Sequence, residues 1–219
     1  MSRYQQEDLP AQEVARLTAR ATRLADAVRA VVQTTVVSEV GDAEVDEAIA
    51  HLEAANALLG RETLPGSFGV RFNTDGTRRA WGNAVTGTRN PIAPPVVLEH
   101  DGERTWGEVT LGPGYEGPPG LVHGGILAAI LDQILGAAAE NAGAPGMTGT
   151  LTVRYRRGTP LGPIRAEAWL DRREGVKTFT KGQLSTADGV TAEAEGVFIL
   201  PRWAREAAAE FLRPGVGDA

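Results

Sequence analysis

Between residues 11 and 35 the apolar side chains Val14, Leu17, Ala21, Leu24, Val28, Val31 and Val32 recur at three- and four-residue steps. That is the period of an amphipathic helix. A second helix is expected from Asp42, a good N-cap residue, with Val45, Ala48, Ile49, Leu52 and Ala55 along one side and Gly60 as its stop. From Pro65 to Pro95 the chain is rich in Gly, Pro, Asn and Thr and reads as loop and irregular strand. A hairpin follows: 96–100, the turn Asp101-Gly102, then 105–111. The segment Gly112–Gly120 holds four Gly and three Pro, a stiff loop leading into the most apolar stretch of the chain.

That stretch, residues 120–136, is apolar at nearly every position, which predicts a helix to about Asn141 that is buried all round rather than on one side. Gly143 and Pro145 end it. Four strand-like runs come next, 147–157, 164–171, 178–186 and 191–200, the last three joined by short turns. Alternation in several of them, such as Leu151, Val153 and Tyr155 against Thr150, Thr152 and Arg154, implies one buried and one solvated face. A hairpin, one buried helix and an antiparallel meander make an α+β architecture in which a curved antiparallel β-sheet wraps around one long central helix. The expected organisation is a helical N-terminal extension over 1–64, the main domain over 65–205 with Trp203 near its end, and a C-terminal tail over 206–219.

Composition narrows the chemistry. A chain of 219 residues with 42% hydrophobic and 23% charged side chains is that of an ordinary globular protein. It has no apolar run long enough for a membrane span, and its polar, acidic start lacks the core of a signal peptide. A cytoplasmic location is the default expectation. With no cysteine there is no disulfide, thiol nucleophile or thiolate metal ligand. Only His51, His100 and His123 are present, without metal-ligand spacing, so no metal and no cofactor is expected. A net charge of −6 argues against a nucleic-acid partner. The charge is unevenly spread, however: residues 147–181 carry eight Lys and Arg against three Asp and Glu. A local basic region on an acidic protein suits a small phosphorylated ligand.

The chemistry points to His123-Gly124-Gly125, with Asp132 nine residues after the histidine. The glycines offer backbone N–H groups at a helix N-terminus, where negative charge is favoured. A carboxylate on an apolar helix is costly unless something pairs with it or uses it. No Gly-x-Ser-x-Gly elbow is present for a serine triad.

Gly120-x-x-His123-Gly124-Gly125, Asp132 and then Gly136 resemble the hotdog-fold acyl-CoA thioesterases, in the branch of the phenylacetic-acid-pathway (PaaI-like) enzymes and the thioesterase-superfamily members. Residues 147–161 and the turn Glu174-Gly175-Val176-Lys177 resemble that family's next strands, so the likeness spans roughly 95–200. It implies a hotdog fold and hydrolysis of an acyl-CoA to free acid and CoA. Asp132 would be general base or nucleophile, Gly124 and Gly125 would form the oxyanion hole, His123 would shape the loop, and Thr148 would be the supporting hydroxyl. Arg154, Arg156 and Lys177 would hold the CoA moiety, although Val176 stands where some relatives carry Arg. The alternative is a noncatalytic acyl-CoA binding or sensing protein. A hotdog dehydratase needs an Asp–His pair on the helix, and no histidine follows Asp132.

Spacing along the helix then bears on assembly. Nine residues put Asp132 about 13.5 Å beyond His123 along the helix axis, too far for both to serve one carbonyl within a single chain. A homodimer with shared active sites is therefore expected, two antiparallel helices meeting across a twofold. The resemblance implies the same arrangement, and leaves open whether dimers pair into a homotetramer.

Overall fold

The computed structural model describes residues 4–202, and the expected tail over 206–219 and Trp203 lie outside the described residues. The chain divides between Pro94 and Pro95 into two compact units, so residues 65–94 group with the helices that precede them.

In the N-terminal unit, helix α1 runs from Ala11 to Val37 and helix α2 from Asp42 to Leu59. Asp42 is not the N-cap. Gly41 takes that position, and Asp42 lies in the first turn with Glu44, where the helix dipole favours acidic side chains without any capping hydrogen bond. Gly60 does end α2, its N–H donating to the Asn56 carbonyl. The sequence gives no periodic signal for strand β1, Tyr4–Gln6. It pairs in parallel with β2, Val70–Phe72, which pairs antiparallel with β3, Arg78–Arg79. Ionic contacts tie these short strands together. The Glu7 carboxylate accepts from Arg71 at 3.0 Å and from Arg79 at 3.2 Å, and the Arg79 side chain is only 2% exposed.

Among the described residues, the C-terminal unit is a six-stranded sheet packed on one long helix. Strands β4, Val97–His100, and β5, Arg104–Leu111, form the expected hairpin. Gly102 sits at its turn with φ 97°, backbone that glycine adopts at little cost. A 3-10 turn over Pro113–Tyr115 leads to helix α3, Gly124–Asn141. Strands β6, Met147–Tyr155, β7, Gly162–Glu174, β8, Lys177–Thr186, and β9, Gly189–Ile199, complete it. The spatial order is β4-β5-β7-β8-β9-β6, with every pairing antiparallel. α3 ends in a Schellman motif. Gly143, at φ 72°, donates to Glu140, and Ala144 donates to Ala139.

The strand pattern explains how the sheet receives a helix. Ala166 and Ala168 on β7, Gly182 on β8 and Ala192 and Ala194 on β9 are small, buried and adjacent across the ladders. Their low profile makes a trough into which Leu127, Ile130, Leu131, Ile134 and Leu135 of α3 insert. Irregular register at Leu170/Arg172, Leu184/Ser185 and Thr148/Thr150 bends the strands around the helix. Within one chain α3 is not buried all round. Its Leu/Ile face is covered, while Ala128, Ala129, Asp132, Gln133, Gly136 and Ala137 are only half-buried and Gly125 is exposed.

Gly182 tests this account of the trough. A Cβ there would lie 2.7 Å from the Glu167 carbonyl oxygen and 3.2 Å from Leu135. The carbonyl belongs to the neighbouring strand and cannot rotate away. Gly182→Ala should therefore cost about 1–3 kcal/mol by overpacking, read as a lowered denaturant midpoint with an unchanged m-value.

Candidate active site

The loop before α3 is fixed by backbone hydrogen bonds. His123 N–H donates to the Tyr115 carbonyl at 2.9 Å, Val122 N–H to Thr159 at 2.9 Å, and Gly117 N–H to Leu121 at 2.9 Å. Gly117 must be glycine, because a Cβ there would stand 2.8 Å from the His123 Cα. This packing sets the direction in which the histidine enters the helix.

His123 is the N-cap of α3, with Nδ1 accepting the Gly125 N–H at 3.0 Å. An accepting Nδ1 puts the proton of the neutral ring on Nε2. The two glycines are thus not equivalent. The Gly125 N–H is already taken by the imidazole, whereas the Gly124 N–H has no acceptor among the described residues. The Gly124 carbonyl accepts from the Tyr155 hydroxyl at 2.7 Å, a bond that fastens the end of β6 to the start of the helix. Tyr155 carries no spacing signal that would single it out in the sequence; only the crossing of β6 over α3 brings it there.

Asp132, eight residues beyond Gly124, lies about 12 Å further along the axis on the half-buried side of α3. Its Oδ1 accepts the Thr148 hydroxyl at 2.8 Å. Strict strand alternation would put Thr148 on the face of Thr150 and Thr152, away from Tyr155 and the helix. The bulge at Gly149 prevents this. It pairs Thr148 with Phe198 and Thr150 with Val197, which turns Thr148 to the helix side. Phe198 is 2% exposed, and its ring would lie 3.1 Å from a Cβ on Gly136 of α3, so that side of the sheet faces the helix.

The basic residues fall elsewhere. Tyr155 reaches α3, so its strand neighbours Arg154 and Arg156 project from the opposite face of the sheet. Lys177 follows the same rule, since the adjacent Thr178 hydroxyl bonds Ala144 on the helix side. Within one chain these three are not gathered with Asp132. Much of the basic excess is also spent locally. Arg156 pairs with Glu193 at 2.5 Å, Arg165 with Glu108 at 2.9 Å, and Arg172 with Glu174 at 2.6 Å. Arg157 donates to the Gly189 and Val190 carbonyls across the β8–β9 turn. Hydrogen bonds from Lys181, then Arg172, hold the Asp171 carboxyl below its usual range. Arg154, Arg173 and Lys177 make no side-chain ion pair or hydrogen bond among the described residues. No three His, Asp or Glu side chains of the described residues come together as a metal would require, and no described helix is long and apolar enough to cross a membrane.

An antiparallel sheet around one helix, with a glycine turn at its N-terminus and an acid on its open side, is the hotdog architecture of thioesterases. Residues 119–193 match the family model of the thioesterase superfamily. The crystal structure of a thioesterase superfamily protein has 37% sequence identity and a TM-score of 0.73, covering 82% of this chain and 90% of that one. The chain belongs to the thioesterase superfamily. It is also similar to acyl-coenzyme A thioesterase THEM4 of Xenopus laevis, 38% identical over 91 residues, which are 40% of this chain and 41% of that protein. The Bos taurus THEM4 is 35% identical over 107 residues, 48% of this chain and 44% of that protein. The chain thus spans less than half the length of these curated relatives.

The cap can be tested apart from any activity. His123→Ala should lose about 1 kcal/mol of stability through the lost Gly125 acceptor, whereas His123→Asn, itself a strong N-cap, should retain most of it. Thermal unfolding of the two variants reads the difference; equal losses would mean that the imidazole acceptor does not stabilise the helix start.

Proposed function

We propose that this chain is an acyl-CoA thioesterase in which Asp132 is the general base and the N-terminus of α3 holds the oxyanion. The observation that carries this reading is the Thr148–Asp132 hydrogen bond on the open side of a helix whose first N–H, at Gly124, has no acceptor among the described residues. Asp132 takes a proton from water, and the hydroxide oxygen adds to the thioester carbon. The carbonyl electrons move to oxygen, where the Gly124 N–H donates to the developing charge. Such a donor is worth on the order of 3–4 kcal/mol. Collapse re-forms the carbonyl and expels the CoA thiolate, which takes up a proton. Thr148 donates to Oδ1, leaving the other carboxylate oxygen for water.

Gly125 has a supporting role in this scheme, because its N–H serves His123. For the CoA moiety, Arg154 and Lys177 are better supported than Arg156, whose charge is already matched by Glu193.

The site is shared between two chains. Gly124 and Asp132 of one helix are separated by about 12 Å, and a base must come within about 3 Å of its proton, directly or through one water. A second α3 running antiparallel on the half-buried face brings one chain's Gly124 to the other's Asp132, twice over by symmetry.

Asp132→Ala and Asp132→Asn should each lower kcat at least about a hundredfold with folding intact, the scale of a general base. Thr148→Val should lower it less, and Thr148→Ser should retain most activity, since serine keeps the donor. Release of free CoA from a panel of acyl-CoAs is the assay. Acyl-CoA binding by wild-type protein with no CoA release from any substrate would instead make it a noncatalytic binding protein.

Sharing is tested with Gly124→Pro, which deletes the N–H at the first helical position, where proline is tolerated. The extended backbone of His123, ψ 130°, suits a following proline. Each single variant should be inactive. A heterodimer of Asp132→Ala with Gly124→Pro carries both lesions in one site and neither in the other, so it should recover up to half the wild-type rate. Verified heterodimers without recovery would sink the shared-site arrangement.

A further inference from the structure

A cavity of about 600 Å³ is lined wholly by residues of the N-terminal unit and by none of the residues assigned above. Its walls come from the segment before α1, α1 itself, the end of α2, strands β2 and β3, and the loops around them. The volume falls in the range of small-molecule sites.

Two kinds of surface meet in it. One is cationic: Arg20, Arg61, Arg71, Arg79 and Arg89 face only two acidic side chains, Glu7 and Glu62. Glu7 is fully engaged by Arg71 and Arg79. The guanidinium groups of Arg20, Arg61 and Arg89 make no hydrogen bond or ion pair among the described residues. This wall therefore offers planar forked donors, the geometry that suits a carboxylate or phosphate.

The other surface is aliphatic. Leu17 and Leu24 of α1 and Leu58 and Leu59 of α2 all line it, and Leu24, Leu58 and Leu59 remain 46%, 58% and 52% exposed. The aromatic pair in the cavity is already occupied. Phe68 stacks on Trp81 at 5.7 Å, while Arg71 and Arg89 sit over the Phe68 ring at 4.3 and 5.6 Å. A planar base would compete with those guanidinium groups for the Phe68 ring, whereas a flexible alkyl chain would lie along the leucines. The aromatic ring holds two arginines in position rather than offering itself to a ligand.

We propose that this cavity binds an acyl amphiphile, an alkyl chain carrying a carboxylate or phosphate head, with the head on Arg20, Arg71 and Arg89 and the chain on the leucines of α1 and α2. The site stands independently of the thioesterase reading and of the catalytic residues.

The experiment is calorimetric titration of the full chain with laurate, dodecyl phosphate and butyrate, each below its aggregation concentration. Laurate or dodecyl phosphate should bind, whichever is tighter naming the head group, and butyrate should bind at least about tenfold more weakly because it lacks the chain. Arg20→Ser combined with Arg89→Ser should weaken the tighter ligand at least tenfold, and so should Leu58→Asn at the exposed apolar wall. In both variants the unfolding temperature and any acyl-CoA turnover should match wild type. Laurate or dodecyl phosphate held in the catalytic site instead would bind all three proteins alike, and that result overturns the proposal. So would failure of both long-chain ligands to bind, or butyrate binding as tightly as laurate.

Discussion

The central constraint is that α3 is too apolar to be covered on one side only. Its Leu/Ile face is satisfied by the trough of small residues on β7, β8 and β9. The remaining face, with Ala128, Ala129, Gly136 and Ala137 around Asp132, stays half-buried in a single chain. Small side chains there allow close approach of another surface, and the carboxylate is the single charged group among them. Sheet curvature, the glycines that permit it and the exposure of Asp132 all follow from seating one helix in one trough.

Much of this was legible in the sequence because the relevant periods are strong. The alternation of Leu151, Val153 and Tyr155, the nearly all-apolar run before Asn141 and the Asp-Gly turn each have one reasonable structural reading, and each element formed where its pattern lay. The features that were not legible are those in which a single residue changes register or competes for a bond. Alternation alone directs Thr148 outward, and only the bulge at Gly149 turns it to Asp132. Two adjacent glycines look interchangeable until the His123 side chain claims the N–H of one of them. Strand β1 carries no hydrophobic period, because ion pairs from Glu7 rather than an apolar face hold it.

Charge shows the same limit. An excess of cations between 147 and 181 invites a phosphate, yet in a sheet the residues opposite each other decide what a charge does. Glu193 lies across from Arg154 and holds Arg156, while Glu108 lies across from Arg165 and pairs with it. These exposed pairs add little stability, typically below about 1 kcal/mol each. Their effect is to remove most of the excess from any ligand's reach, leaving Arg154, Arg173 and Lys177. Linear composition counts charges that the ladder has already matched.

The N-terminal unit shows the converse, with cations gathered from distant positions that no window along the chain would group. Arg20 lies on α1, Arg61 just beyond α2, Arg71 on β2 and Arg89 in a loop, and residues 1–62 taken alone are acidic. The fold concentrates positive charge in one cavity while the acidic side chains of α2, Asp42, Glu44, Asp46, Glu47 and Glu53, all face solvent. A cluster assembled from four separate segments cannot result from a local compositional bias, and without an anion its guanidinium groups repel one another at a cost that solvent only partly screens. That the chain nonetheless holds Arg71 and Arg89 over one aromatic ring implies an organisation maintained by the fold itself, ready before any anion arrives.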